Sequence, residues 1–235
     1  MAIAAIVAGG TGSRMGSTEM PKQFLDLCGK PVIIRTIEAF ENNPSISAVI
    51  VGINPDWYDY MKELAEKYFS ADVYITKGGE DRNGTILNII RYAENELGAD
   101  TNEILVTHDA VRPFVTDSMI GDSISALDKY DITTAAVPAT DTIAVSYDGE
   151  NAEDFPVRDS LFMIQTPQSF RLGSFRSLLE TVSDEERRLI TDACRLFMIS
   201  GKKVGLIKGD AKNIKLTYPS DMKAAKAMLE GTAEK

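Results

Sequence analysis

The sequence predicts an α/β fold, a mostly parallel sheet with helices packed on its faces, and three observations carry that expectation. Short β-branched runs alternate with longer segments whose apolar residues recur at helical spacing. The first run, Ile3–Ala8, is apolar throughout, reads as a buried strand and ends in a cluster of glycines. The chain has 235 residues, 44% hydrophobic and 26% charged, which suffices for one sizeable core and lies far from a disordered composition.

In chain order, Ile3–Ala8 is followed by a helix at Val32–Glu41, where Ile33, Ile37 and Phe40 fall on one face. A strand is expected at Ala48–Ile53, a helix at Pro55–Tyr68, a strand at Asp72–Thr76 and a helix at Asn83–Leu97. Glu103–Thr107 and Thr133–Pro138 read as further strands around a helix at Asp117–Lys129. After Pro138 the pattern changes. Alternating apolar residues flank the turn-forming YDGEN, which predicts a hairpin or projecting β-arm over about 139–165. Helices follow at Leu172–Val182 and Asp192–Ser200, then a strand at Lys203–Ile207 and a last helix from about Pro219. With no repeat, linker or low-complexity tract, residues 1–235 are expected to form a single domain.

Composition narrows the chemistry. A net charge of −10 opposes a nucleic-acid surface, since backbone phosphates are bound by clustered Lys and Arg. No run is long enough to span a bilayer and the first strand begins without a basic leader, so a cytoplasmic protein with no membrane contact is expected. Cys28 and Cys194 lie far apart without a CxxC pattern, which suggests neither a disulfide framework nor a zinc site. His108 is the sole histidine, which excludes a site needing two histidine ligands and weakens any Ser-His-Asp arrangement. It is read as a packing or hydrogen-bonding residue.

The stretch AIVAGGTGSRMGSTEMPKQF runs from the first strand into a glycine-rich loop, where backbone can approach a ligand closely. It lacks GxxxxGK[ST], and Gly10, Gly12 and Gly16 miss GxGxxG by one residue, so neither the P-loop nor the dinucleotide fingerprint applies. Arg14 and Lys22 follow at once, where a polyphosphate would need positive charge, although surface cations are the common alternative. In VTHDAVRPF a strand ends in Asp109 and Arg112, at the carboxyl end where open α/β sheets collect their ligands. Asp109 could ligate Mg²⁺ or serve simply as a turn former.

Together with that loop, the segments GGEDRNGT, VTHDAVRPF, PVRD, QTPQSF and KNIKLT occur in an order and spacing that resembles the cytidylyltransferases activating small sugar or polyol phosphates. That family includes enzymes for methylerythritol phosphate and for ribitol phosphate, and the wording here, with TDACRLF, is closer to the ribitol-phosphate branch. One departure is Lys212, where the methylerythritol-phosphate enzymes carry an Asp before NIK; Asp210 lies two positions earlier, and the difference favours the ribitol-phosphate branch. The resemblance implies a Rossmann-like sheet of the nucleotidyltransferase, or glycosyltransferase-A-like, kind and transfer of CMP from CTP to a polyol phosphate. It implies Arg14 and Lys22 as catalytic cations and Asp109 as the Mg²⁺ ligand. Val7, Ala8, Gly9, Gly10 and Gly12, with Gly79, Asp81, Arg82, Asn83 and Thr85, would bind the nucleotide; Arg82 positions the triphosphate or braces its loop. Arg112, Thr142, Arg158, Thr166 and Lys215 would bind the polyol phosphate, Arg158 reaching across from the arm of a second subunit in a homodimer. A methylerythritol-phosphate acceptor and a non-catalytic nucleotide-binding module remain open as alternatives.

Overall fold

The computed structural model describes residues 2–10, 20–70, 72–183, 185–186 and 190–233. The first strand, β1 (Ala2–Ala8), lies inside a seven-stranded sheet, and its sequence AIAAIVA suits that place. Ala2, Ala4 and Ile6 face one core, while Ile3 and Ala5 face another, the two-residue period of a strand covered on both sides.

β1 pairs in parallel with β4 (Ile46–Ile53) on one side and β6 (Ile104–Asp109) on the other, and β5 (Val73–Lys77) extends the sheet beyond β4. A short hairpin of β2 (Asp26–Leu27) and β3 (Lys30–Pro31) stands apart from this sheet. Because the order is β5-β4-β1-β6, the chain leaves β1 towards one edge and returns to its opposite side. That reversal opens a crevice at the carboxyl ends of β1 and β6. Helices α1 (Val32–Glu41) and α2 (Tyr58–Tyr68) pack into the first core, and α3 (Arg82–Leu97) into the second. Asp81 caps the start of α3 by accepting from Gly84 N–H, and Gly98 closes its end at φ +69°, a left-handed conformation that glycine adopts without a Cβ clash.

The second half adds α4 (Asp117–Ser125), β7 (Ile132–Pro138), β8 (Phe162–Arg171), α5 (Leu172–Thr181), α6 (Ala193–Ile199), β9 (Val204–Lys208) and α7 (Pro219–Ala233). β7 and β9 are parallel, whereas β8 runs antiparallel between β6 and β7, so the sheet is mostly but not wholly parallel. The predicted helices Pro55–Tyr68 and Asp117–Lys129 are each shortened by one 3-10 turn, Pro55–Trp57 before α2 and Ala126–Asp128 after α4.

β8 is the element the sequence does not announce. Gln165, Thr166, Gln168 and Ser169 are all buried, so the strand lacks apolar alternation, and Pro167 interrupts it. Several of its polar groups are met from the neighbouring elements: Thr107 Oγ1 donates to the Gln168 carbonyl at 3.1 Å and the Ser123 and Ser169 hydroxyls share a 2.7 Å hydrogen bond. The arm expected over 139–165 is correspondingly shorter. Phe162, Met163 and Ile164 already pair with Pro138, Val137 and Ala136, which leaves residues 139–161 outside the sheet. That segment is largely exposed and is pinned by one antiparallel bridge between Val145 and Asp154.

Phe170 joins β8 to its helices. Its fully buried ring stacks on Phe175 of α5 at 5.1 Å and packs against Phe197 of α6 at 5.5 Å. Phe170→Ala is expected to lower stability by about 3–5 kcal/mol. Urea unfolding should show this as a reduced midpoint at an unchanged slope.

Candidate active site

A cavity of about 340 Å³ occupies the crevice at the ends of β1 and β6. Its floor is the backbone of Val7 to Gly10, and Lys22 enters from the 3-10 turn Lys22–Phe24. Gln23, buried beside it, donates from Nε2 to the Ala8 carbonyl at 3.2 Å and the Gly10 carbonyl at 3.4 Å, so the turn is fastened to the end of β1. Gly12 and Arg14 lie outside the described residues.

The opposite wall is the loop from β5 into α3. Gly78 N–H donates to the Ile53 carbonyl at 2.6 Å and Gly79 N–H to Thr85 Oγ1 at 3.0 Å, while that hydroxyl donates to the Asp81 carbonyl at 2.8 Å. A Cβ on Gly79 would sit 2.5 Å from the Gly84 backbone, so only glycine allows this approach. Asp81, Arg82 and Thr85 line the cavity. Asn83, expected at the nucleotide, turns inward instead: it is buried, and its Nδ2 donates to the Ile190 carbonyl at 2.6 Å, so its side chain braces α3.

Asp109, the last residue of β6, is the electrostatic centre. Lys215 Nζ lies 2.9 Å and Arg112 Nε 3.4 Å from Oδ2, and Arg82 Nε lies 3.6 Å from Oδ1. Burial alone would push this carboxyl up, but the charges of Arg82, Lys215 and Arg112 outweigh it and hold the group well below the usual carboxylate range. Three cations against one carboxylate leave surplus positive charge, a suitable seat for phosphates. Thr166 Oγ1 accepts from Asp109 N–H at 3.2 Å. Asn213, fully buried, accepts Arg112 Nη1 on its carbonyl at 2.8 Å and donates from Nδ2 to the Thr166 carbonyl at 2.8 Å. Asp210 Oδ1 accepts from Lys212 N–H at 2.8 Å and so closes its own turn. Among the described residues no group of three or more His, Cys, Asp or Glu side chains is placed to hold a metal ion.

A second cavity of about 630 Å³ adjoins the first and shares Arg82, Asp109 and Lys215 with it. Arg112 and Thr166 line it, and so do residues the sequence did not single out, among them Thr134, Gln165, Asp192 and Arg195. Asp192 caps α6 by accepting from Cys194 N–H at 2.8 Å, and its other oxygen accepts from Gln168 Nε2 at 2.7 Å. Exposed Ile164, Met198, Ile199 and Leu206 rim the cavity. Thr142 and Arg158 stand exposed in the segment 139–161 and line neither cavity.

With this geometry, the family model for 2-C-methyl-D-erythritol 4-phosphate cytidylyltransferase matches residues 2–231. The chain belongs to that family. A ribitol-5-phosphate cytidylyltransferase from Streptococcus pneumoniae serotype 2 is 45% identical over 233 residues, spanning 98% of this chain and 99% of the relative. A solved structure of 4-diphosphocytidyl-2C-methyl-D-erythritol synthase from Anaerococcus prevotii superposes with a TM-score of 0.77 at 25% identity, covering 97% of this chain and 96% of that one. The enzyme from Thermus thermophilus shares the fold at a TM-score of 0.72 and 23% identity, over 98% and 100% of the two chains. The fold class and the nucleotidyl-transfer chemistry expected from the sequence are those of this cytidylyltransferase family.

His108 has a structural part in this cytidylyltransferase. It is fully buried, its Nε2 meets the Arg112 carbonyl at 3.0 Å and its ring packs 5.0 Å from Phe40. Since a carbonyl only accepts, Nε2 carries the proton. Burial lowers its pKa to about 4, the Arg112 hydrogen bond opposing that shift more weakly. The unfolded chain takes up a proton near pH 6.5 while the folded one does not until about pH 4. Stability is therefore complete above pH 6.5 and falls as pH drops through that window, by on the order of 3 kcal/mol. Denaturant midpoints at pH 7.5 and 5.0 should show the loss in the wild type and a smaller one in His108→Gln.

Proposed function

We propose that the protein transfers CMP from CTP to D-ribitol 5-phosphate, giving CDP-ribitol and pyrophosphate. The observation that carries this is the meeting of two cavities at one cluster of surplus positive charge. The acceptor is suggested by the relative that is 45% identical over 98% of the chain and named for ribitol 5-phosphate. CTP would lie along Val7–Gly10 with its base and ribose against the loop from Gly79 to Thr85, whose amides and carbonyls are fixed in place. The polyol phosphate would enter the second cavity, where Thr134, Thr166 and Asp192 offer partners for its hydroxyls.

In the reaction an oxygen of the acceptor phosphate forms a bond to the α-phosphorus, the α–β bridging P–O bond breaks, and its electron pair leaves with pyrophosphate. A phosphate monoester has its second pKa near about 6, so the nucleophile is already a dianion at pH 7 and no general base is needed. His108, neutral and buried, has no part in the step. Two anions must instead be brought together and the charge on the transferred group stabilised, work suited to fixed cations. Lys22 and Arg14 serve the triphosphate, and Lys215 and Arg112 the acceptor side.

A divalent cation such as Mg²⁺ is part of the proposal. Asp109 Oδ1, 3.6 Å from Arg82 Nε and outside hydrogen-bonding range of it, would hold the ion together with substrate phosphates, since Mg²⁺ is commonly bound by one or two carboxylates and phosphate oxygens. It would supply neutralisation of phosphate charge as pyrophosphate departs. The arm exposes Tyr147, Phe155 and Val157, apolar surface that a second copy would cover, so a homodimer with Arg158 completing the partner's acceptor site is part of the proposal. The whole chain would act as one domain in the cytoplasm, where CTP is found, and its net charge of −10 speaks against a nucleic-acid partner. No helix among the described residues is long and apolar enough to cross a membrane.

The family description favours one competing acceptor, methylerythritol phosphate. Pyrophosphate release measured side by side with CTP, Mg²⁺ and each alcohol phosphate should show a clear kcat/KM preference for ribitol 5-phosphate; the opposite preference would reverse the assignment. Lys22→Ala should lower turnover by roughly 10²–10³ with the fold intact. Arg158→Ala should chiefly raise the KM for the polyol phosphate, and equal activity of both variants to wild type would refute these roles.

A further inference from the structure

Arg82 opens α3, and two of its guanidinium nitrogens, Nη1 and Nη2, are buried without a hydrogen-bond partner among the described residues. The third, Nε, is 3.6 Å from Asp109 Oδ1, beyond hydrogen-bonding range. Buried donors left unused are costly and rare, and a charged group with several of them calls for an anionic partner. The same side chain lines both cavities. Its charge also reaches the far wall of the second: burial and the Asp192 charge push the Cys194 thiol up, and Arg82 opposes them. Arg112, by contrast, commits Nη1 to the Asn213 carbonyl at 2.8 Å and faces Asp109 with Nε at 3.4 Å. Lys215 is drawn to Asp109 at 2.9 Å. Arg82 is thus the cation of the Asp109 cluster that keeps a planar fork of donors in reserve at the border between the two cavities.

We propose that Arg82 is a catalytic residue that holds the acceptor, its Nη1 and Nη2 gripping non-bridging oxygens of the polyol's phosphate monoester as a further oxygen attacks CTP. The proposal rests on the reaction put forward above and moves Arg82 from the nucleotide, where the sequence led one to expect it, to the acceptor. A guanidinium fork matches two phosphate oxygens at once, which an ammonium cannot do. By attracting the dianion it also keeps the nucleophile deprotonated. The bond made is from an acceptor phosphate oxygen to the α-phosphorus, the bond broken is α–β, and Arg82 gives up no proton.

The test compares Arg82→Lys, Arg82→Gln and Arg82→Ala, with circular dichroism and CTP affinity measured on each so that any folded variant decides. Loss of paired charge-assisted hydrogen bonds should raise the KM for ribitol 5-phosphate roughly ten- to a hundredfold while the KM for CTP stays within about twofold. Millimolar guanidinium should restore part of the activity of Arg82→Ala. Calorimetric titration of inorganic phosphate into CTP-saturated enzyme should show weaker binding to the variants than to wild type, and it needs no turnover. If the wild type fails to use ribitol 5-phosphate, the acceptor assignment falls alone and the phosphate titration still decides the role of Arg82. Unchanged phosphate affinity, or a KM increase confined to CTP, overturns the proposal.

Discussion

The Asp109 carboxylate, 2.9 Å from Lys215 Nζ, 3.4 Å from Arg112 Nε and 3.6 Å from Arg82 Nε, is the contact on which the remainder of the site depends. Each partner comes from a different part of the chain: the end of β6, the turn after it, the start of α3 and the segment before α7. One buried anion holds together three cations that would otherwise repel each other, and they in turn keep it ionised against burial. Such buried ion clusters contribute little net stability, since desolvation offsets most of the attraction. Their value lies in fixed orientation, because cations already in place need no reorganisation when charge moves through the site.

The surrounding structure holds that cluster still. Thr166 fixes the backbone of Asp109, Asn213 joins Arg112 to Thr166, and Gln23 fastens the turn carrying Lys22 to the end of β1. The crevice itself follows from topology. The chain departs from one side of β1 and returns on the other, so the strand ends that open into it are those that carry Ala8 and Asp109.

Most of the architecture was legible in the sequence, because it rests on local pattern. α1 has the predicted bounds, Val32–Glu41, and the parallel strands were marked by apolar β-branched runs. β8 was illegible for the opposite reason. Four of its buried residues are Gln165, Thr166, Gln168 and Ser169, whose burial is supported by hydrogen bonds to elements far away in the chain, and no local period reports that. At the site, Asp109, Arg82 and Lys215 stood out as charges in distinctive motifs, but their convergence on one carboxylate is a tertiary fact. Gln23, Asp192 and Asn213 carry no chemistry that composition would flag. Asn83 looked like a nucleotide contact from its motif, yet a helix turns adjacent side chains about 100° apart, and its own turn faces Ile190.

The antiparallel placement of β8 divides the sheet into two unequal trades. On one side, β5, β4 and β1 run parallel in an apolar bed with the glycine loops at their ends; on the other, β7 and β8 bring Thr134, Gln165 and Thr166 to the second cavity, and β9 adds Val204 and Leu206. The two meet where β8 pairs with β6, beside Asp109. A protein built in this way is modular within a single sheet. Under the reaction proposed above, substitutions on β8 and α6 would reshape the second cavity for another sugar alcohol, while the first cavity is left undisturbed and the shared carboxylate keeps the two in register.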